Sequence, residues 1–203
     1  MKIFSAAFKP LQESILAGQA HRDQGNLCGG CNGTDANYRC GGSSDKCFDP
    51  ELFCRSCIVQ KHVTLPFHLI EEWNGKHFVR RSLRELGFIL YLGHHGWRCP
   101  NLSSSQQPRP MTLVHTNGFH SHLVHFCHCQ DAEKEAFQLA RMELFPATIE
   151  QPETVFTFGL LRDYHKHTLS SKKSTHDYHK ALVRLTSAAF PQDIPVSNVR
   201  VFS

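Results

Sequence analysis

The 203-residue sequence contains no long apolar run. A membrane-spanning helix needs about 20 predominantly apolar residues, and no stretch of the chain approaches even ~18. The sequence therefore predicts no membrane span. The N-terminal segment also lacks the long apolar core of a secretory signal peptide, because Lys2, Lys9 and Glu13 interrupt it and Pro10 breaks it. We therefore expect an intracellular protein that is not secreted.

Signatures of common catalytic sites are missing as well. The sequence has no Ser-His arrangement and no phosphate-binding loop, and no matching carboxylate stands beside the densest histidine groups, His94-His95 and His120/His122/His125. A hydrolytic metal site needs an open coordination position and usually a carboxylate or histidine base. The sequence therefore predicts that this chain is not an enzyme, and it indicates no small-molecule substrate.

Cysteine and histidine, by contrast, are abundant, with nine and 15 residues. Four ligand pairs follow one another in the N-terminal third: Cys28 and Cys31, Cys40 and Cys47, Cys54 and Cys57, His62 and His68. Four pairs suffice to close two tetrahedral zinc sites. A disulfide framework or buried free thiols is the alternative. The missing signal peptide and the histidines at ligand spacing argue against it.

The spacing of the pairs predicts how two ions share them. Two residues between cysteines let both sulfurs reach one ion, so each C-x-x-C pair shares a zinc. Chains with four successive pairs often interleave them, with pairs one and three on one ion and pairs two and four on the other. We therefore assign to the first zinc Cys28, Cys31, Cys54 and Cys57, and to the second Cys40, Cys47, His62 and His68. Spacing alone leaves a sequential arrangement open.

Three cysteines remain: Cys99, Cys127 and Cys129. With one histidine they would form a third structural zinc site, and the alternative is three buried thiols that pack as small hydrophobes. His120 is the first candidate for the fourth ligand because it precedes Cys127 in a predicted hairpin. In a continuous strand, however, His120 lies on the face opposite to the two later cysteines unless the strand ends or bulges. His94, five residues before Cys99, is the reserve.

Turn and cap residues predict several elements. Pro10 suits the first turn of a short helix over residues 11–19. Ser82-Leu83-Arg84-Glu85 is typical of a capping box and predicts a helix towards Tyr91. Asn117-Gly118 predicts a hairpin between strands at 111–115 and 119–126.

Apolar periodicity predicts three further helices. The first runs from Asp131 to before Pro146, the second from Pro152 to about residue 165, and the third from a cap at Ser174 through residue 185. We interpret their apolar residues, Phe137 and Leu139 among them, as core-facing.

The predicted fold class is α+β, with a small zinc-stabilised cross-brace module followed by an α+β region that holds a β-hairpin and about three helices. The predicted division is an N-terminal extension at 1–19, a double-zinc module at 20–75, the α+β region at 76–187 and a tail at 188–203. We expect the metals to supply stability that the core of so small a module cannot.

Charge is a weaker indicator of partners. The net charge is +4 with neutral histidines. Zinc held by four thiolates carries about −2, so the metal-bound module is less basic than its residue count suggests. Four lysines could lie along a phosphate backbone through contacts that release counterions: Lys166, Lys172, Lys173 and Lys180. A solvated, serine-rich loop between two helices is the simpler interpretation of each of them.

The first eight ligands resemble the B-box family of cross-brace zinc modules, with a longer gap than usual between Cys40 and Cys47. That resemblance implies a structural or protein-interaction module. Sites with all four positions filled by protein leave none open for water, so we expect no catalysis by these zincs.

A longer series of motifs, between about residues 11 and 187, resembles the CxC cysteine-cluster domain of the second type, which is associated with fungal KDZ (Kyakuja-Dileera-Zisupton) transposases. Matching stretches include Cys54-Arg55-Ser56-Cys57, Pro66-Phe67-His68-Leu69-Ile70, Asn117-Gly118-Phe119-His120, Phe126-Cys127-His128-Cys129, Gln138-Leu139-Ala140-Arg141 and Phe145-Pro146-Ala147-Thr148. The Cys-x-Cys unit that gives the domain its name is Cys127-His128-Cys129.

This resemblance implies a nuclear, zinc-binding accessory domain whose partner is DNA, a transposase or another protein. In the full-length proteins a large catalytic region follows the domain, and the tail after residue 187 does not resemble that continuation. The resemblance therefore implies a detached or truncated accessory domain. A protein-interaction adaptor without DNA contact and a non-functional mobile-element remnant are the alternatives.

Overall fold

The structure, a computed structural model, describes residues 2–20, 27–41, 47 and 51–187. The predicted tail at 188–203 lies outside the described residues, as do residues 21–26, 42–46 and 48–50 of the predicted zinc module. Five α-helices and two β-sheets form within the described residues, which confirms the predicted α+β class. None of these helices is both long enough and apolar enough to cross a membrane.

The chain divides into two compact units. The first takes its residues from 1–62 and 68–81, and the second takes its residues from 63–67 and from 82 onwards. The described elements of the first unit are α1 (Lys2–Gln19), β1 (Tyr38–Cys40), α2 (Arg55–Lys61), β2 (Ile70–Trp73) and β3 (Phe78–Arg81). Its three strands form an antiparallel sheet in the order β1-β2-β3.

The first unit has a small apolar interior. Among its described residues, the buried hydrophobic side chains other than cysteine are Ala36, Phe53, Ile58 and Ile70. Helix α1 is longer than the predicted helix over 11–19 and holds Pro10 in its interior rather than in its first turn. A proline removes only one helical hydrogen bond. The helix continues on the N-terminal side of Pro10 because strong helix formers such as Ala7 lie there. Four apolar side chains of α1 are about half exposed or more: Phe8, Leu11, Ile15 and Leu16.

The second unit is built on a five-stranded mixed sheet in the order β4-β6-β5-β8-β7. Its strands are β4 (Ile89–Tyr91), β5 (Arg109–His115), β6 (Gly118–His125), β7 (Leu144–Pro146) and β8 (Thr154–Thr157). Its α-helices are α3 (Glu135–Arg141), α4 (Phe158–Ser171) and α5 (Thr175–Thr186). A buried cluster joins the sheet to α4 and α5 and contains Val114, Phe156, Leu160, Tyr178 and Leu182.

The predicted hairpin forms as β5 and β6, which pair antiparallel across the turn before Gly118. Gly118 adopts φ 126°, a conformation that suits glycine. A Cβ at this position would also lie 2.4 Å from Thr186 Oγ1. The end of α5 therefore packs closely on the hairpin turn.

The helix predicted from Ser82 towards Tyr91 is wrong, although its capping box forms. The Glu85 N–H donates to Ser82 Oγ at 3.2 Å, and the Ser82 N–H donates to Glu85 Oε2 at 3.0 Å. Gly87, at φ 92°, then ends the turn. Residues 89–91 instead pair with β6 as a parallel strand, because long-range pairing to the sheet outweighs the local cap signal.

The helices predicted over 131–145 and 152–165 are also wrong at their boundaries. Helix α3 is confined to 135–141, and residues 144–146 form β7. Residues 154–157 form β8, with all four residues buried, and α4 begins only after Thr157, which caps it by accepting a hydrogen bond from the Leu160 N–H at 3.1 Å. The β-branched and aromatic run at 154–157 suits a buried strand. The cap predicted at Ser174 is confirmed, since its Oγ accepts from the Asp177 N–H.

Candidate metal centres

Cysteine and histidine side chains of the described residues converge in three places. In each place four ligand atoms lie within 4.8 Å of one another. Site one contains Cys28, Cys31, Cys54 and Cys57; site two contains Cys40, Cys47, His62 and His68; site three contains His94, Cys99, Cys127 and Cys129. The first two sets are the interleaved ones that the spacing predicts.

The distances between sulfurs match those expected around one tetrahedral ion. Four sulfurs bound ~2.3 Å from a zinc ion lie about 3.8 Å apart. Cys31 Sγ lies 3.9 Å from Cys54 Sγ, and Cys99 Sγ lies 3.9 and 3.8 Å from the sulfurs of Cys127 and Cys129. Disulfide-bonded sulfurs would lie about 2.05 Å apart, and none of the nine cysteines, all of which lie in the described residues, is in a disulfide bond.

Site one is built by a tight turn and the start of α2. The Cys28 N–H donates to the Gly33 carbonyl at 2.8 Å, which closes the turn that carries Cys28 and Cys31. Cys54 is the N-cap of α2, and Cys57 lies in its first turn. A Cβ on Gly30 would lie 2.9 Å from both Cys57 Sγ and Cys57 Cβ. Gly30 therefore allows the two C-x-x-C pairs to approach, a role that the sequence analysis missed.

Within site one the pKa values of Cys28 and Cys57 are shifted in opposite directions. Burial raises the pKa of the Cys28 thiol, but N–H groups that donate to its sulfur, from Cys54 at 3.2 Å and Gly30 at 3.3 Å, outweigh burial and hold this pKa at about 6. The neighbouring thiols of Cys54 and Cys28 raise the pKa of Cys57 to about 12. A bound divalent cation would supply the positive charge that four thiolates require.

Site two combines two thiols with two imidazoles whose surroundings favour the neutral form. His62, the C-cap of α2, and His68 are both buried, and burial lowers the pKa of each, which favours the neutral form that binds metals. His62 Nδ1 lies 2.7 Å from the Ile58 carbonyl oxygen. Because a carbonyl only accepts, Nδ1 carries the proton and Nε2 keeps its lone pair. That Nε2 lies 3.9 Å from Cys47 Sγ, and His68 Nδ1 lies 3.4 Å from Cys40 Sγ.

Site three takes its histidine from the loop after β4. His94 Nε2 lies 3.2 Å from Cys127 Sγ and 3.4 Å from Cys129 Sγ. Gly93 and His94 adopt positive φ angles of 78° and 45°, which turn the chain sharply towards the cysteines. His120 lies elsewhere, with its Nε2 2.8 Å from Asn117 Oδ1. The structure thus brings the reserve histidine, and not the first candidate, to the three cysteines.

Hydrogen-bond donors also surround the sulfurs of site three. Burial raises the pKa of the buried Cys99 thiol, but backbone N–H groups of His128 and Asn101 outweigh it and hold that pKa at about 6. The neighbouring Cys127 thiol raises the pKa of Cys129 to about 11. The side-chain amide of Asn101 donates to Cys129 Sγ at 3.4 Å. The arrangement therefore favours thiolates once a cation is present.

Each set offers four ligand atoms, enough to fill the tetrahedral coordination of one structural zinc ion. The histidines of β6, which are His120, His122 and His125, belong to no ligand group within the described part of the chain. His122 is buried, and burial lowers its pKa to about 4.

The four lysines considered for nucleic-acid contact lie around the connection between α4 and α5. Lys166 is on α4, Lys172 and Lys173 are in the connection, and Lys180 is on α5. Lys166, Lys172 and Lys180 are exposed, while the Lys173 ammonium lies 5.9 Å from the ring centroid of Tyr178. The structure thus presents these basic side chains near one helical hairpin of the second unit.

Comparison with known families gives a match over residues 83–189, to the family described as a CxC2-like cysteine cluster associated with KDZ transposases. The match covers just over half of the chain and includes every residue of site three. Sites one and two precede it. No curated protein and no solved structure matches the chain.

Proposed function

We propose that this chain, which belongs to the family of CxC2-like cysteine clusters associated with KDZ transposases, is a non-catalytic accessory module that folds around three zinc ions and binds DNA. The zinc assignment rests on the convergence of three complete four-ligand sets. Four cysteines, two cysteines with two histidines, and three cysteines with one histidine are all sets typical of structural zinc. The association of the family with transposases supports a nuclear location.

Native mass spectrometry of the purified protein tests the zinc assignment. We expect three zinc ions per chain. Two ions together with rapidly alkylated Cys99, Cys127 and Cys129 would remove site three from the proposal. A folded protein without metal would overturn the assignment altogether.

Two matched histidine variants test the ligand set of site three. We expect His94→Ala to lower the zinc content by one ion, because its Nε2 lies beside two of the cysteine sulfurs. His120→Ala removes the same side chain from a position that bonds to Asn117, and we expect it to retain three ions. Zinc content by native mass spectrometry is the measurement. Loss of an ion only from His120→Ala would reverse the assignment of the fourth ligand.

DNA binding is supported by the exposed lysines around the α4–α5 connection and by the association of the family with transposases. We expect affinity for duplex DNA to fall steeply as salt rises, with a log–log slope of about −0.9 for each phosphate contact. A triple variant, Lys166→Ala, Lys172→Ala and Lys180→Ala, should bind more weakly and show a shallower slope. A control with equal loss of charge, Lys9→Ala, Lys76→Ala and Lys134→Ala, should retain the wild-type slope. Equal effects of the two triples would remove the α4–α5 face as the binding surface.

The alternative function is a protein-interaction adaptor without DNA contact. The exposed apolar side chains of α1, among them Phe8, Leu11 and Ile15, favour it, because such a stripe on a helix is typical of a surface that pairs with another protein. The salt titration separates the two functions. An adaptor shows no salt-dependent DNA affinity at any ionic strength.

A further inference from the structure

The side-chain amide of Gln138 forms hydrogen bonds with the backbone of Cys127, one of the cysteines of site three. Gln138 is on α3 and only 7% exposed. Its Oε1 accepts a hydrogen bond from the Cys127 N–H at 2.7 Å. Its Nε2 donates to the Cys127 carbonyl at 3.1 Å and to the Glu133 carbonyl at 2.7 Å. Both amide hydrogens are therefore used.

The Gln138 amide forms the two backbone hydrogen bonds that a neighbouring strand would otherwise form with Cys127. Strand β6 ends at His125, so Cys127 lies beyond the ladder that pairs β6 with β5. A facing residue in an antiparallel ladder would exchange both N–H···O bonds with Cys127. The Gln138 amide makes the same two bonds from a helix, so the backbone of Cys127 remains fixed after the sheet has ended.

The orientation of the amide is determined by its three partners. Two of them are carbonyl oxygens, which only accept, and the third is an N–H, which only donates. The reversed amide would place Nε2 against the Cys127 N–H and Oε1 against two carbonyls. The bond to Glu133, just before α3, therefore holds the amide in the orientation that Cys127 requires.

Fixing this backbone matters because of the short spacing between Cys127 and Cys129. In an extended strand, residues two apart are about 6.6 Å from each other. Ligands of one zinc ion lie about 3.8 Å apart. The two sulfurs must therefore converge from backbone positions that are farther apart than the sulfurs themselves, so the path of the chain at 127–129 has to direct both side chains towards Cys99 and His94. A backbone clamp at the first of the two cysteines restricts that path before any metal binds.

We propose that Gln138 is a positioning residue for site three, which holds the backbone of Cys127 so that its sulfur faces Cys99 and His94, and thereby tightens metal binding there. This inference rests on the proposed function, in which site three binds zinc. Groups that orient metal ligands without touching the metal typically change affinity by about 10–100-fold when removed. Gln138 acts on the backbone of a ligand rather than on the ligand atom.

The test compares Gln138→Met with the wild-type chain, both loaded with zinc. Methionine keeps the length of the side chain and removes all three hydrogen bonds. We expect chelator competition, followed by native mass spectrometry, to show that the variant loses one ion about 10–100-fold more readily. Alkylation mapping should place that loss at Cys127 and Cys129, with the cysteines of sites one and two still protected.

Two further variants separate positioning from general stability. Leu139→Ala truncates the neighbouring, fully buried side chain of α3, which is apolar and can neither donate nor accept a hydrogen bond. It should lower the thermal midpoint without selective loss of the third ion. Gln138→Glu retains an acceptor for the Cys127 N–H and replaces the two donors, so it should weaken site three even if Gln138→Met fails to fold.

Release of the third zinc at the wild-type rate from any Gln138 variant that folds would overturn this inference and leave the zinc assignment intact. Equal loosening of all three sites, or selective loosening by Leu139→Ala, would also overturn it. A wild-type chain that holds no zinc at site three would overturn the zinc assignment and the inference together.

Discussion

Cys54→Ser is expected to remove one zinc ion and to unfold the first unit, while the second unit stays folded. Cys54 contributes one of the four sulfurs of site one and is also the N-cap of α2. Structural zinc contributes about 10–16 kcal/mol to the folding of zinc-finger peptides. That is comparable to the whole stability of a typical domain, ~5–15 kcal/mol. The few buried apolar side chains of the first unit cannot replace such a contribution.

Zinc content by native mass spectrometry and hydrogen exchange by peptide check this result. The matched control is Ser56→Ala, because the Ser56 hydroxyl lies 3.2 Å from Cys54 Sγ and is not a member of the ligand set. The control should keep three zinc ions and wild-type exchange. If Cys54→Ser also keeps both, Cys54 is not a ligand and the assignment of site one fails.

The grouping of the four cysteines of site one could be predicted because part of its geometry is local. A C-x-x-C pair places two sulfurs near each other through a single turn, as at Cys28 and Cys31, whatever the rest of the fold does. Which two ligand pairs come together at one site depends on long-range structure. The structure brings together the interleaved sets, since α2 carries Cys57 into site one and His62 into site two.

The histidine that lies beside the three cysteines of site three could not be chosen from sequence, because its position depends on the path of the loop after β4. Strand parity argued against His120, and β6 indeed continues past it to His125. His94 reaches the cysteines because β4 lies parallel to β6 and the positive φ angles at Gly93 and His94 turn the chain back. Neither the parallel pairing nor that turn leaves a periodic signal in the sequence.

Short strands account for the errors in secondary structure. Val155 fits a helical stripe with Phe158 as well as it fits a buried strand, and only pairing with β5 and β7 decides between them. Helix α3 shows the same ambiguity at the level of single residues. The apolar periodicity predicts that Phe137 faces the core. In the structure, Phe137 is 55% exposed, and the neighbouring polar residue Gln138 is buried. Gln138 was therefore missed as a residue near a metal site.

Removal of zinc with a strong chelator is expected to unfold the first unit and to leave the core of the second unit folded. The first unit should lose protection from hydrogen exchange throughout its three-stranded sheet, because two of the three metal sites and only a small apolar core hold it together. The second unit should keep protection at β5 and β8, where the buried cluster of Val114, Phe156 and Leu160 does not depend on metal. Within the second unit, the loss should be confined to the loops that carry site three.

Hydrogen exchange with and without chelator, resolved by peptide, measures this division. The control is addition of excess zinc after chelation, which should restore the pattern of the first unit because metal binding and folding are one equilibrium there. Excess magnesium should not restore it, since magnesium prefers oxygen ligands and these sites offer sulfur and imidazole nitrogen. Unchanged protection in the first unit after complete zinc removal would show that its fold does not depend on metal. Loss of protection at β5 and β8 would show that site three stabilises the whole second unit rather than its loops alone.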